Sequence, residues 1–184
     1  FVIFNYYEPE NNIVKFNTLS GELTICRKEH LFEMNFPTQN QHEIPVTDEM
    51  ERAFGLRPVK AVLGIDLVCV FDKEEQVRQM KPDQSLLHEL PGRIQNATAK
   101  GKDTDCVSRS FCPKLSIPEG PVCGSAHCQI AAYWSDVLGK KTIDAYQASQ
   151  RGGRLRCEMQ EDGRVNISGE AVLVAISDIV AELK

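Results

Sequence analysis

No apolar run in these 184 residues approaches the roughly 18 to 20 that a bilayer-spanning helix needs. That absence argues against a helical membrane protein. A block or stripe of Lys and Arg is also missing. With 21 basic against 26 acidic residues and a net charge of −5, nucleic acid and anionic membrane surfaces are poor partners. Seven cysteines are present, but they are odd in number, scattered and contain no CxxC pair. A disulfide framework and a structural zinc site are both disfavoured, and reduced thiols in a cytosolic protein are the simplest reading. FVIFNYY, at the start, has no basic region and no small-residue cleavage site. It does not read as a signal peptide, and it reads as the middle of something. Low-complexity segments and solenoid-like repeats are absent too.

What is present is a globular composition, 42% hydrophobic and 26% charged. The pattern is α+β and mostly antiparallel. IVKFNTL, ELTICRK and LFEMNFP alternate apolar and polar residues and are joined by short turns, which predicts three antiparallel strands. The polar, two-proline stretch FPTQNQHEIPVT predicts a loop and a domain boundary near residue 38, dividing the chain into 1–37 and 38–184. Thr47 and Gly55 bracket a short helix, and KEEQVRQMK and DQSLLHEL have helical period. Strands are predicted at 59–64, 66–72, 94–100, 105–111, DAYQAS and GRLRCEMQ. A hairpin at Asp162-Gly163 leads into a last strand, VNISGEAVLVAI. The helix AHCQIAAYWSDVLG places Ala126, Ile130, Ala131, Trp134 and Leu138 on one face, as a buried central helix requires.

The chemistry concentrates at PVCGSAHCQI, residues 121–130. Gly120 and Pro121 suit a sharp loop, and Gly124 and Ser125 open the helix. The first amides of a helix have no internal partner and carry partial positive charge, so a Gly-Ser entry lets a ligand carboxylate approach them. An ordinary Ser125 N-cap accounts for the same residues. Cys123 with His127 has the composition of a nucleophile and base, although Cys123 precedes the helix. His30, His42 and His88 sit in polar contexts and read as surface residues, and Trp134 with Tyr133 reads as core. Arg109 can brace a cleft or pair with an acidic neighbour. Arg151 can reach a ligand or belong to a turn closing two strands.

SRSFCP (108–113), IPEGPVCGSAHCQIAAYWSDVLGKK, QASQRGG (147–153) and EDGRVNISGEAVLV together resemble the PhzF-like phenazine-biosynthesis family, of the diaminopimelate epimerase superfamily. TLSGEL and MNFP match its earlier strands. The resemblance implies two similar halves, each a barrel-like, mostly antiparallel sheet around a central helix, with the active site in the cleft between them. It places residues 1–37 at the end of the first half and 38–184 in the second. The family's best-understood member is a cofactor-independent isomerase that uses a carboxyl group as general acid/base. Its glutamate acid/base would lie ahead of Phe1. The family's aspartate position is Gly120 here, with Glu119 adjacent, and its threonine is Cys123. Gly124 and Ser125 match the residues that hold the substrate carboxylate. The expected ligand is therefore a small carboxylate, with no metal, and family members commonly form dimers. Two other readings stand beside the isomerase. One is a catalytically silent homologue acting as a binding module. The other is an epimerase in which Cys123, a thiol at a helix N-terminus, removes an α-proton.

Overall fold

In a computed structural model, residues 1–19 and 21–178 are described. A wide helical turn at Ile3–Tyr7 leads into β1 (Ile13–Thr18), β2 (Gly21–Lys28) and β3 (Leu31–Pro37), the antiparallel meander expected from the alternation. Next come β4 (His42–Ile44), α1 (Asp48–Phe54), β5 (Lys60–Leu63), β6 (Leu67–Val70), α2 (Glu74–Gln79) and α3 (Gln84–Glu89). Then follow β7 (Gln95–Lys100), β8 (Cys106–Cys112), a short helical turn at Pro113–Leu115, β9 (Ile117–Gly120) and α4 (Gly124–Leu138). The last elements are β10 (Thr142–Gln147), β11 (Gly153–Met159) and β12 (Arg164–Gly169). Local chemistry sets the helix ends. The Thr47 hydroxyl accepts from the Met50 amide, the Asp83 carboxylate accepts from the Ser85 and Leu86 amides, and Gly139 ends α4 at φ +62°.

Among the described residues the strands form one sheet, ordered β1-β2-β3-β12-β11-β10-β8-β7-β6-β5-β4, with β9 on β8. All pairs are antiparallel except β6–β7 and β8–β10. The sheet does not close on itself, and it runs unbroken across residue 38, because β3 pairs with β12 from Phe32–Gly169 to Pro37–Arg164. The fold is α+β, built on one mixed, mostly antiparallel sheet.

Alternation along β5 and β6 builds two cores. Ala61, Leu67 and Cys69 face α1–α3 together with Phe54, Phe71 and Phe111; the Phe54 and Phe71 rings meet edge to face at 5.6 Å. Val62, Val68 and Val70 face α4, with Ile130, Trp134 and Ile143. Of the predicted α4 face, Ala126, Ile130, Ala131 and Trp134 are buried and Leu138 packs at the margin. The central helix thus lies on one face of the sheet and the three short helices on the other.

Two expectations about elements need correction, and one strand has no counterpart in the sequence pattern. His42–Ile44, inside the predicted loop, adds a strand to β5. Ile117–Gly120 pairs with β8 despite Pro118. The last strand stops at Gly169 instead of continuing to Ile176, and Val172, Val174 and Ile176 are exposed. Their β-branched side chains suit a strand, but no neighbouring strand pairs with residues 170–178 among the described residues.

Candidate active site

The first turn of α4 is open. Cys123 precedes it in extended conformation without a side-chain cap, and Ser125 is not the N-cap because it already lies within the helix. The Gly124, Ser125 and Ala126 amides have no hydrogen-bond partner among the described residues. A Cβ built on Gly124 would meet nothing within 4 Å. Gly124 and Ser125 are half-buried. An anion can therefore come within hydrogen-bonding distance of aligned, positively polarised N–H groups.

Gln147, at the end of β10 and fully buried, shapes the loop ahead of the helix. Its Oε1 accepts from the Cys123 amide at 2.7 Å, and its Nε2 donates to the Gly120 carbonyl at 2.7 Å. Ser149 donates to the Pro121 carbonyl at 2.5 Å. The Q-x-S pattern of QASQRGG is thus a pair of clamps on residues 120–123. Gly152 of the same motif has φ +69°, and a Cβ there would lie 2.4 Å from the Tyr146 hydroxyl. Arg151 is exposed on this turn with no partner among the described residues.

His127 belongs to the scaffold. It is fully buried, with Nδ1 2.7 Å from the Cys123 carbonyl oxygen and Nε2 3.2 Å from Ser108 Oγ. The carbonyl oxygen can only accept, so Nδ1 carries the proton and Nε2 accepts from the serine. Burial lowers its pKa and keeps the ring neutral. Both nitrogens are committed, so the Cys123–His127 nucleophile/base pair does not exist. Cys123 itself is half-buried, with Sγ 3.5 Å from Ser125 Oγ.

Arg109 takes the second of its two sequence readings. Its guanidinium grips Glu119 through Nε at 2.7 Å and Nη2 at 2.8 Å, and its Nη1 donates to the Met80 carbonyl at 2.6 Å. Arg109 is therefore not available to a ligand, and Glu119 does not stand in for a carboxyl at position 120. Gly120 has room for a Cβ: outside its chain neighbours the added atom meets nothing closer than the Ser110 carbonyl at 3.7 Å, with Cys112 Sγ and Cys123 Cβ at 3.8 Å.

Sequence reasoning missed Arg93 and Asp66. Asp66 is completely buried. It accepts from the Ile94 amide at 3.2 Å and pairs with Arg93, Nε to Oδ1 at 3.2 Å and Nη2 to Oδ2 at 3.4 Å. The same Nη2 lies 3.4 Å from Ser125 Oγ. Gln129 of α4 locks this corner, donating to the Asp66 carbonyl at 2.9 Å and accepting from its amide at 3.3 Å. The one available signal was Pro91-Gly92-Arg93 between a helix and a strand. Gly92 has φ +81°, and a Cβ there would lie 2.4 Å from the Leu67 amide nitrogen. A separate apolar groove of about 580 Å³ between α1 and α3, lined by Met50, Leu86 and Leu90 among others, lies on the opposite face of the sheet.

Comparison with known proteins agrees with these motifs. The family model for phenazine biosynthesis-like proteins, PhzC-PhzF, matches residues 1–176. An uncharacterized isomerase of Pseudomonas aeruginosa is 40% identical over 175 residues, 95% of this chain and 67% of the relative. The crystal structure of a PhzF-family phenazine biosynthesis protein from Enterococcus faecalis superimposes with a TM-score of 0.90 at 43% identity, over 95% of this chain and 67% of that one. The chain thus spans about two thirds of the length of these relatives. A likeness to a predicted epimerase of Pseudomonas aeruginosa, with a TM-score of 0.66 at 17% identity, shows the fold alone. With the QASQRGG clamps, the open Gly-Ser helix entry and these matches in place, the chain belongs to the PhzC-PhzF family of phenazine biosynthesis-like proteins.

Proposed function

We propose that this chain supplies the carboxylate-binding side of an isomerase that transfers a proton within a small carboxylic acid without a cofactor. One observation carries the reading: among the described residues the amides of Gly124 and Ser125 have no partner at the mouth of a 15-residue helix, with open space beyond Gly124. The isomerase names of the relatives support the reaction class. In this proposal residues 1–37 end one half and 38–184 form the second. The proton is moved by a carboxyl group of the first half, as the resemblance implies. The protein works in the cytoplasm, and a homodimer is its assembly.

The role of this chain's residues is to hold and exclude. The helix amides bind the carboxylate, Gln147 fixes the loop over it, and neutral His127 pins Cys123 from below. The test is to incubate the full-length protein in D2O with small unsaturated and cyclic carboxylic acids and to follow deuterium uptake by NMR. Exchange at one carbon that persists in chelator is expected. Absence of exchange with any acid that shifts the Gly124 and Ser125 amides would refute an enzymatic role.

A second reading is a binding module without catalysis. It is favoured by Gly120, where the family pattern has an aspartate, together with the capture of Glu119 by Arg109. Carboxylate binding without any exchange is its signature. An epimerase acting through Cys123 is the third. It requires that Cys123→Ala abolish deuterium exchange at the α-carbon.

A further inference from the structure

We infer that Arg93 is a direct ligand contact of this same site, completing with the Gly124 and Ser125 amides a binding place for one planar carboxylate. The inference rests on the carboxylate reading above and adds the residue that gives it charge selectivity.

Three observations converge. A helix N-terminus is normally flanked by acidic side chains, which complement its positive pole. The first turn of α4 has none, and the group beside it is a guanidinium, 3.4 Å from Ser125 Oγ. Two sources of positive potential therefore meet at one spot, which is unfavourable unless an anion joins them. Asp66 offsets part of this charge, but from beneath and fully buried, and it occupies only Nε and Nη2. Nη1 has no partner among the described residues, and the Arg93 side chain keeps 44% of its exposure, so donors remain on the open side.

The third observation is independent of the helix. Ser108 Oγ reaches His127 beneath α4, so Ser110, two residues along β8, presents its hydroxyl to the same side and one step nearer Gly120. Directly across the strand pair lies Asn96. Both residues are completely buried, yet Ser110 Oγ and Asn96 Oδ1 have no hydrogen-bond partner among the described residues. Buried polar atoms are ordinarily satisfied, and two orphans side by side under the mouth of a helix mark a place where a polar ligand or its waters complete the set. A carboxylate is the group that fits: one oxygen meets the amides, and the other meets the planar guanidinium fork.

The experiment uses the 15N-labelled protein, with anthranilate as the carboxylate probe and anthranilamide as its neutral counterpart. In the wild type, anthranilate is expected to shift the Gly124 and Ser125 amides and anthranilamide is not. Removing Arg93 alone strands a buried carboxylate, so the key variant is the double change Asp66→Asn with Arg93→Gln, which removes both charges and keeps an acceptor for Ile94. Its melting temperature is recorded beside the titration. Anthranilate affinity is expected to fall about tenfold or more, and Arg93→Lys is expected to recover part of it. If the folded double variant binds anthranilate within about twofold of wild type at the same amides, Arg93 is merely the partner of Asp66 and the inference is overturned. If the wild-type amides do not respond at all, the carboxylate reading of α4 itself fails, and the role of Arg93 fails with it.

Discussion

Gln147→Glu is the most searching change available, because it alters one atom of the clamp over the site. The wild-type amide both accepts from Cys123 N and donates to the Gly120 carbonyl, each at 2.7 Å, in a fully buried position. A carboxylate keeps the first bond and loses the second, setting two oxygens against each other. An orphaned buried acceptor costs about 1–3 kcal/mol, and desolvating a carboxylate costs several more. The nearby helix pole returns up to about 2 kcal/mol, leaving a deficit of about 3 kcal/mol at pH 8. Protonation restores a donor toward Gly120, so the folded-state pKa of the introduced acid lies above its unfolded value of about 4.3, by about two units for that deficit. Between the two values the folded state binds more protons than the unfolded one. Stability is therefore lost as pH rises through the folded pKa and recovered below it. Urea unfolding of variant and wild type should differ by about 3 kcal/mol at pH 8 and about 1 kcal/mol at pH 5. An equal deficit at both pH values, or none at pH 8, would show that the two hydrogen bonds do not hold the loop.

Burial lowers the pKa of His127, so the unfolded state takes up a proton below about pH 6.5 that the folded state refuses. Wild-type stability should fall between pH 7.5 and 5.5 by up to about 1.4 kcal/mol per unit below pH 6.5, and His127→Gln should remove that slope. Matching slopes would place the ring in water. Gly120→Asp should fold with a change of less than about 1 kcal/mol, since outside its chain neighbours the described residues bring no atom closer than 3.7 Å to the added Cβ. If proton transfer is limited by the missing carboxyl, the variant should raise deuterium uptake by a bound acid, whereas an unchanged rate would assign the limit elsewhere. Native alkylation with iodoacetamide at pH 8 should mark Cys26 and Cys123, which are half-buried, ahead of the other five. Burial pushes Cys112 up to about 11 and Cys128 and Cys157 up to about 12. At pH 8 those thiols are about one part thiolate in a thousand or less. Early modification of Cys128, read by peptide mass spectrometry, would contradict the packing of α4.

Local pattern carried far where each residue answers to its own neighbours. The meander, the capped α1, the period of α3 and the apolar face of α4 all follow from period and end chemistry. Pattern failed where a partner decides. His42–Ile44 becomes a strand only because β5 lies beside it, and AVLVAI lacks such a neighbour among the described residues in spite of its β-branched, apolar composition. The site divides in the same way. Gly124 and Ser125 were legible because a helix entrance is a local event. Arg93 and Asp66 stand 32 and 59 positions before Ser125 in the sequence, and only folding brings them to it. The fate of Arg109 was half legible: an acidic neighbour was one expectation, and the pairing of β8 with β9 chose Glu119.

Three side chains of α4 end on three different anchors: His127 on Ser108, Gln129 on the Asp66 backbone and Trp134 on Thr98, the last at 2.9 Å. Each residue of an α-helix turns by about 100° and advances about 1.5 Å, so a slip of a single step would break all three attachments at once. The helix is bolted at fixed height and azimuth, and its entrance is a rigid datum against which anything carried by a facing lobe must be aligned. Chemistry can then be retuned by exchanging loop residues around that entrance, while the post that supports it stays where it is.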